Sequence, residues 1–326
     1  MNLYEQQARN GRQTVLVMVV FVAFLLAIGL GFDSALMAGG AFFPIGTLVA
    51  LAYGTGSAWV AYARGDRAVL ASTGAVPVAR ALEAAPDEAG RLRLRQFENV
   101  VDEMAIAAGL PRPAAYVVPD PDPNAFATGR DPSRASIAVT EGLLRRLDRD
   151  ELQGVVAHEM AHIRNFDIRL MTIVAALVGA IALLADWAAR GMRYGVFGRR
   201  GRSRDSAGAA MSVVLVVAWL AAVLLAPLVA RLLAMLVSRR REYLADATGA
   251  ELTRNPMALA SALQKIDAEA APTRAVKRGS AHLCIADPLG RRVNARSGGL
   301  ANLFASHPPM AERIARLRAM AFVPAR

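Results

Sequence analysis

Long uncharged apolar runs alternate with polar stretches along this chain. Residues 14–31 form an uncharged apolar run of the length that a helix needs to cross a bilayer. A second run, at residues 34–63, follows after a short turn around Asp33, so the two runs predict a helical hairpin. Two later runs, at residues 170–189 and 207–238, are apolar except for Asp186 and Arg231. The pattern therefore predicts up to four membrane spans.

Arginines flank the first predicted hairpin. Arg9 and Arg12 precede it, and Arg64 and Arg67 follow it. The positive-inside rule then predicts that both outer ends face the cytoplasm. The loop between the two later runs conflicts with this rule, because residues 190–204 hold six arginines. Either the second hairpin inserts only partly, or it packs on a soluble domain, or the first spans dominate the orientation.

Two polar blocks, residues 64–167 and 239–326, surround the second hairpin, and each is small. We therefore expect a hairpin domain at 1–63 and one peptidase-sized domain at 64–326, interrupted by the hairpin at about 168–238. The predicted fold is mostly α with a small β-sheet, of the α+β class. The expected local elements, in chain order, are a loose connection at 75–89, a helix at 91–108, strands at 114–118, 124–129 and 136–140, a helix at 141–147, and a helix at 151–164 that Asp150 caps.

The net charge and the apolar runs together indicate which kind of partner the chain binds. The net charge of +11 is compatible with nucleic acid or with anionic lipid. The apolar runs favour the lipid bilayer, and basic residues do not alternate with aromatic ones as they do in proteins that stack bases, so we expect no nucleic-acid partner. The single cysteine, Cys284, excludes an internal disulfide framework and is predicted to be a small buried residue.

The stretch His158-Glu159-Met160-Ala161-His162 carries the strongest chemical signal. On a helix, positions four apart share a face, so both imidazoles can reach one metal ion. Glu159 stands beside them, where it can polarise a metal-bound water. This is the arrangement of a zinc peptidase, with one Zn²⁺ per chain. The alternative is a pair of surface histidines on an ordinary helix.

Catalytic zinc takes three protein ligands and keeps a fourth position open. One zinc peptidase class places a third histidine six residues after the second, with a glycine midway, but Ile168 and Asn165 stand there. Glu242 is the best candidate for an acidic third ligand. Asp246 lies one turn further and would accept the spare ring N–H of a histidine ligand, His158. The alternative is a helix with solvated pairs of arginine and glutamate.

Together with Ser306-His307-Pro308-Pro309 and residues 124–129, these motifs resemble the membrane-bound M48 peptidases over nearly the whole chain. The resemblance implies a gluzincin-type zinc peptidase core fused to multi-pass transmembrane helices. It further implies a bacterial inner-membrane protease whose active site faces the cytoplasm and which cleaves unfolded or misfolded membrane proteins in quality control. Assembly into a homo-oligomer is left open.

Several further roles follow from the resemblance. Residues Asn124, Ala125, Phe126 and Ala127 are expected to form the edge strand that binds the substrate backbone, the alternative being a purely structural strand. His307 is a candidate for stabilising the oxyanion, and the alternative is a histidine in a proline-rich turn.

The roles of three other polar residues stay open or favour structure. An exposed helix arginine is the favoured interpretation of Arg313, against pairing with an active-site acid. Asn165 and Asp167 either cap the metal helix and orient His162, or belong to a plain turn.

The expected reaction is peptide hydrolysis by a zinc-activated water, with Glu159 as the general base. Two alternatives remain. One is a catalytically silent membrane adaptor that keeps zinc as a structural element, against which the intact Glu159 argues. The other is a prenyl-protein (CaaX-type) protease, from a related branch of the same family, which the short chain and few spans disfavour.

Overall fold

The computed structural model describes residues 3–37, 44–193, 239–269, 275–276, 283–286 and 308–321. The described residues do not include the apolar run at 207–238, most of the basic loop or His307. The helices are α1 Leu3–Met37, α2 Ile45–Ser72, α3 Val78–Ala84, α4 Glu88–Ala108, α5 Glu141–Arg146, α6 Arg149–Arg164, α7 Asp167–Arg193, α8 Arg239–Thr253, α9 Pro256–Ala268 and α10 Met310–Ala321. The strands are β1 Val76–Pro77, β2 Ala114–Val118, β3 Ala125–Thr128 and β4 Ser136–Thr140.

Helices α1 and α2 form the predicted hairpin. The two helices approach closely at Gly29, where a Cβ atom would lie 2.6 Å from the carbonyl oxygen of Gly46. The carboxylate of Asp33 accepts hydrogen bonds from the backbone N–H groups of Gly46 and Thr47, at 2.8 and 2.7 Å. Asp33 therefore satisfies the first turn of α2. The turn predicted around Asp33 was wrong, since Asp33 lies inside α1 and its side chain reaches across to α2.

The predicted multi-pass arrangement stays a prediction. Within the described ranges, residues 8–31 are the one helical stretch long and apolar enough to cross a bilayer by itself. Helices α6 and α7 meet the same criteria only when taken together, across a bend of 88°. The first half of α7 packs into the α1–α2 hairpin, where Leu170, Ile173 and Leu177 are buried against Val17 and Phe21.

The remaining described residues are mostly helical and surround a small mixed sheet of strand order β1-β2-β4-β3. Strands β2 and β4 are parallel, while β1 and β3 pair antiparallel with their neighbours. The prediction of a loose connection at 75–89 was wrong. Pro77 sits in an edge strand, where its missing N–H costs no ladder bond, and the residues after it form α3.

Helix α6, which carries both histidines of the motif, begins two residues earlier than predicted. Asp148, and not Asp150, is its N-cap, because Asp148 and Glu151 form a reciprocal capping box with two hydrogen bonds of 3.0 Å. Glu151 also accepts hydrogen bonds from Ser261 and Lys265 of α9, at 2.7 and 2.6 Å. The cap therefore fixes the start of α6 against a neighbouring helix.

Candidate metal centre

The two histidines of α6 project from one face of the helix into the protein. The ring centroids of His158 and His162 lie 4.8 Å apart, with the ring planes at 88° to each other. Both side chains are buried. The interpretation as two surface histidines is therefore wrong.

Helix α8 brings Glu242 to the same point. One carboxylate oxygen lies 3.6 Å from Nε2 of His162, and the other lies 3.9 Å from Nε2 of His158. One ligand atom from each of the three residues lies within 4.8 Å of the other two. The close approach of α8 to α6 depends on Gly249, where a Cβ atom would lie 3.0 Å from the backbone nitrogen of His158.

This donor set fits a zinc ion. Two imidazole nitrogens and one carboxylate oxygen, all buried, form a common protein ligand set of catalytic zinc. The electrostatics also favour a cation. Burial alone would lower the pKa of His162, but contact with Asp167 and the charges of Glu242 and Glu159 outweigh it and raise this pKa to about 9. The carboxylates around the pocket therefore favour positive charge at its centre.

Each imidazole turns its other nitrogen toward a second carboxylate. Nδ1 of His158 lies 3.0 Å from Asp246, and Nδ1 of His162 lies 3.3 Å from Asp167. Partners of this kind orient metal-binding histidines and raise their basicity. Of the two roles that the sequence left open for Asp167, the structure places it against His162. Asn165 ends α6 as its C-cap.

Arg313 is fully buried, so the prediction of an exposed helix arginine was wrong. Its guanidinium donates two hydrogen bonds to Asp246, at 2.7 and 2.8 Å, and a third to the carbonyl of Ile285 at 2.7 Å. It also lies 3.5 Å from Glu242. Burial opposes ionisation of Asp246, but Arg313 outweighs it and lowers the pKa of Asp246 to about 2. A sequence signal existed, since Arg313 and the core residue Leu317 share one face of α10.

Glu159 is buried beside the three candidate ligands but is not one of the clustered atoms. Burial raises the pKa of its carboxyl to about 7, although the neighbouring His162 and the backbone N–H of Ala127 lower it. A carboxyl group with a pKa near neutrality can exchange a proton in both directions. The position and the pKa both suit a general base.

Strand β3 is an edge of the sheet, and the protein itself covers part of that edge. The carbonyl of Ala125 accepts a hydrogen bond from the backbone of Ile285 at 2.9 Å, and Phe126 forms a β-bridge with Cys284. The side chain of Asn124 donates to the carbonyl of Ala286 at 3.1 Å. Residues 283–286 therefore pair with the first part of β3, at Asn124, Ala125 and Phe126. Cys284 is buried, as predicted.

Sequence reasoning missed two polar residues that reach this centre. Asn10, in the first helix, donates to Asp167 at 2.7 Å, and Nε of Arg241 lies 3.5 Å from the same carboxylate. Both are buried. The one signal in the sequence was that Asn10 is a polar residue just before the apolar run at 14–31. Its partner could not be deduced, because the two residues are 157 positions apart in the sequence.

Comparison with known proteins shows which family this chain belongs to. Residues 91–321 match the profile of peptidase family M48. The chain is 43% identical to a protease HtpX homolog of Thermoanaerobacter pseudethanolicus, over 98% of each chain. It is 42% identical to a protease HtpX homolog of Tropheryma whipplei over the same shares, and 38% identical to one of Streptococcus uberis over 98% and 100%.

Among solved structures, the crystal structure of S. mikatae Ste24p is similar to this chain. The likeness covers 68% of this chain and 49% of Ste24p, about half of its length, with 21% identity and a TM-score of 0.40. The curated relatives, by contrast, match this chain nearly end to end and well above 30% identity. The chain therefore belongs to peptidase family M48 and is a metalloprotease.

Proposed function

We propose that this chain is a zinc-dependent endopeptidase of the membrane that cleaves unfolded or misfolded proteins in quality control. One observation carries the proposal. His158, His162 and Glu242 direct three ligand atoms to one buried point, and the carboxyl of Glu159 lies beside that point. A zinc site with a purely structural role does not need this fourth residue, so its presence supports hydrolysis.

Each residue of the centre has its own proposed role. His158, His162 and Glu242 hold one zinc ion, and Asp246 and Asp167 orient the two imidazoles. Bound zinc supplies Lewis acidity to a peptide carbonyl and acidifies a water molecule. Glu159 accepts the proton of the attacking water and then delivers it to the leaving amine.

Two further roles are proposed on the family resemblance. The outer edge of β3, at Asn124, Ala125, Phe126 and Ala127, aligns an extended substrate by strand addition. Since residues 283–286 cover the edge at Ala125, the substrate is expected to pair first at Ala127. His307, which lies outside the described residues, is proposed to stabilise the oxyanion.

The proposed location is the cell inner membrane, with several spans and the active site facing the cytoplasm. The start of α1 contacts the metal centre through Asn10, and the basic end of α2 follows its apolar run. The positive-inside rule assigns such basic ends to the cytoplasm. In this arrangement residues 1–63 form a transmembrane hairpin, and residues 64–326 form the peptidase domain, interrupted at about 168–238.

The test is the substitution Glu159→Gln in the full-length protein in lipid nanodiscs. We expect cleavage of an unfolded membrane protein to fall by about 10²–10⁴-fold while zinc content stays at one per chain, because the variant removes only the base. The matched control, Glu141→Gln, changes an exposed glutamate of α5 and should cleave normally. Persistent cleavage by Glu159→Gln would refute the mechanism.

The same assay separates the other two functions. An unmodified protein that binds zinc but cleaves no substrate would identify a silent adaptor. Preference for a prenylated peptide over the unfolded protein would identify a prenyl-protein protease.

A further inference from the structure

The outer face of the α1–α2 hairpin carries an apolar groove of about 540 Å³. Its walls include Val15, Met18, Val22, Ala58, Trp59 and Tyr62. Trp59 is 65% exposed and Val15 is 56% exposed, so the groove opens outward from the hairpin. In the proposed membrane arrangement, this groove faces the lipid.

A basic pocket of about 490 Å³ lies where α2 leaves its apolar run and meets the sheet. Among the described residues, it is lined by four arginines, Arg67, Arg112, Arg130 and Arg134, and by one carboxylate, that of Asp66. Serine hydroxyl groups at positions 133 and 136 line it as well. The pocket therefore combines positive charge with small polar groups.

Two of these arginines already have acidic partners. Arg112 pairs with Asp102 and Glu98, and Arg130 lies 3.3 Å from Asp131. In the part of the chain that the structure describes, Arg67 and Arg134 have no carboxylate within ion-pair distance. Arg134 acts on Asp131 at longer range and helps to lower the pKa of that carboxyl, but both arginines are exposed and can contact an external anion.

The groove and the pocket meet at Tyr62. This residue lines the groove, and the guanidinium of Arg130, which lines the pocket, lies 5.8 Å from the centre of its ring. Helix α2 departs from helical geometry at Arg64, between the two sites, with φ −140° and ψ 16°. Tyrosine and tryptophan are enriched where membrane meets water, so Trp59 and Tyr62 mark the headgroup level.

We propose that this combined surface binds one anionic phospholipid, with an acyl chain in the groove and the phosphate-bearing headgroup in the pocket. Charge complementarity selects the anionic class, because unpaired arginines bind phosphate oxygens with charge-assisted hydrogen bonds. A zwitterionic lipid carries its own cation and compensates Arg67 and Arg134 less well. The inference rests on the proposed membrane insertion but not on the proposed proteolysis.

Fluorescence quenching tests the proposal through Trp59. The double substitution Trp187→Phe, Trp219→Phe leaves Trp59 as the single tryptophan of the full-length chain. This protein is reconstituted in phosphatidylcholine vesicles that contain a small fraction of lipid brominated on its acyl chains, either phosphatidylglycerol or phosphatidylcholine. We expect brominated phosphatidylglycerol to quench Trp59 at a severalfold lower mole fraction.

Two variants of the protein with Trp59 as its single tryptophan test whether the pocket arginines cause the preference for phosphatidylglycerol. Arg67→Gln, Arg134→Gln should abolish the preference. Arg91→Gln, Arg145→Gln removes the same charge from two exposed arginines of α4 and α5 and should keep it. Inorganic phosphate should displace no more brominated lipid than chloride does at equal ionic strength.

Each contrary result overturns the proposal in a distinct way. Equal quenching by the two lipids would show a groove without headgroup selection. A preference that survives in Arg67→Gln, Arg134→Gln, or disappears in both variants, would show a general effect of charge. Displacement by phosphate alone would identify a soluble-anion site. Absence of quenching by either lipid would instead refute membrane insertion itself.

Discussion

The side-chain amide of Asn10 donates a hydrogen bond to Asp167 over 2.7 Å, and the other oxygen of Asp167 lies 3.3 Å from Nδ1 of His162. Asn10 also donates to the backbone carbonyl of Asn165, at 2.9 Å. The apolar N-terminal helix is thereby connected to a proposed metal ligand through one intervening side chain. The N-terminal helix α1 therefore contacts the candidate metal centre directly.

Replacing Asn10 with alanine should weaken zinc binding. Without its donor, Asp167 orients His162 less firmly, and loss of such an outer partner typically costs about 10–100-fold in metal affinity. Asn10 contacts Asp167 and not the histidine itself, so we expect a loss of zinc affinity of about 10-fold. Competition with a chromophoric chelator measures this affinity. Thr14→Ala is the control, since Thr14 is a buried neighbour one turn along whose hydroxyl donates to the backbone carbonyl of Asn10. Equal affinity in the two variants would show that Asn10 has no positioning role.

The buried pair of Arg313 and Asp246 makes a strong prediction about stability. Arg313→Met leaves Asp246 buried without its bidentate partner, which typically costs about 3–5 kcal/mol. Arg318→Met, an exposed arginine of the same helix, should change the free energy of unfolding by less than about 0.5 kcal/mol. Chemical denaturation in detergent measures both. The double variant Arg313→Met, Asp246→Asn should recover part of the loss, and no recovery would argue against direct coupling.

The same pair predicts a pH dependence. The pKa of Asp246 falls from its ordinary 3.8 to about 2 in the folded protein, so its contribution is complete above the ordinary pKa and disappears as pH falls toward 2. In metal-free protein, the stability advantage of the unmodified chain over Asp246→Asn should shrink by about 2 kcal/mol between pH 5 and pH 2. An advantage that is constant over this range would mean that Asp246 has an unshifted pKa.

Local patterns predicted much of the fold. The strands at 114–118 and 136–140 have the predicted bounds, and the helix predicted at 91–108 ends at Ala108 before a left-handed Gly109. These elements depend on neighbouring residues, whose periodicity and stop signals the sequence contains. The connection at 75–89 was misjudged, because a strand of two residues forms only by pairing with a distant partner.

In the candidate site, too, the residues in a local pattern were predicted and those that depend on tertiary contacts were not. The spacing of His158 and His162 is local, so the sequence alone predicted that they share a metal ion. Glu242 was predicted because two histidines leave a catalytic zinc site without its third protein ligand. The burial of Arg313 was missed, although it shares a helix face with Leu317, because only the fold brings its partner Asp246 to α10. An isolated arginine on a helix is ordinarily exposed, and only tertiary contacts reverse that expectation.

Gly249→Ala should loosen the metal centre without changing any ligand. The added methyl group would meet the backbone of His158 at 3.0 Å, so α8 must move away from α6 and carry Glu242 with it. We expect weaker zinc binding and a loss of about 1–3 kcal/mol from overpacking. Gly179→Ala, on α7, meets no atom within 4 Å and should bind zinc normally. Normal zinc affinity in Gly249→Ala would show that the helices do not need this contact.

Removal of the metal should destabilise the protein only when the ligand set is intact. A ligand that binds the folded state alone adds about 2.7 kcal/mol at one hundred times its dissociation constant, so chelation should lower the melting temperature of the unmodified chain. Glu242→Gln keeps the shape of the side chain but removes the charged third donor, and its melting temperature should respond much less to chelator. Glu251→Gln, an exposed glutamate on the same helix, should respond as the unmodified chain does. If chelation shifts Glu242→Gln and Glu251→Gln equally, the metal binds without Glu242, and the third ligand must be sought elsewhere.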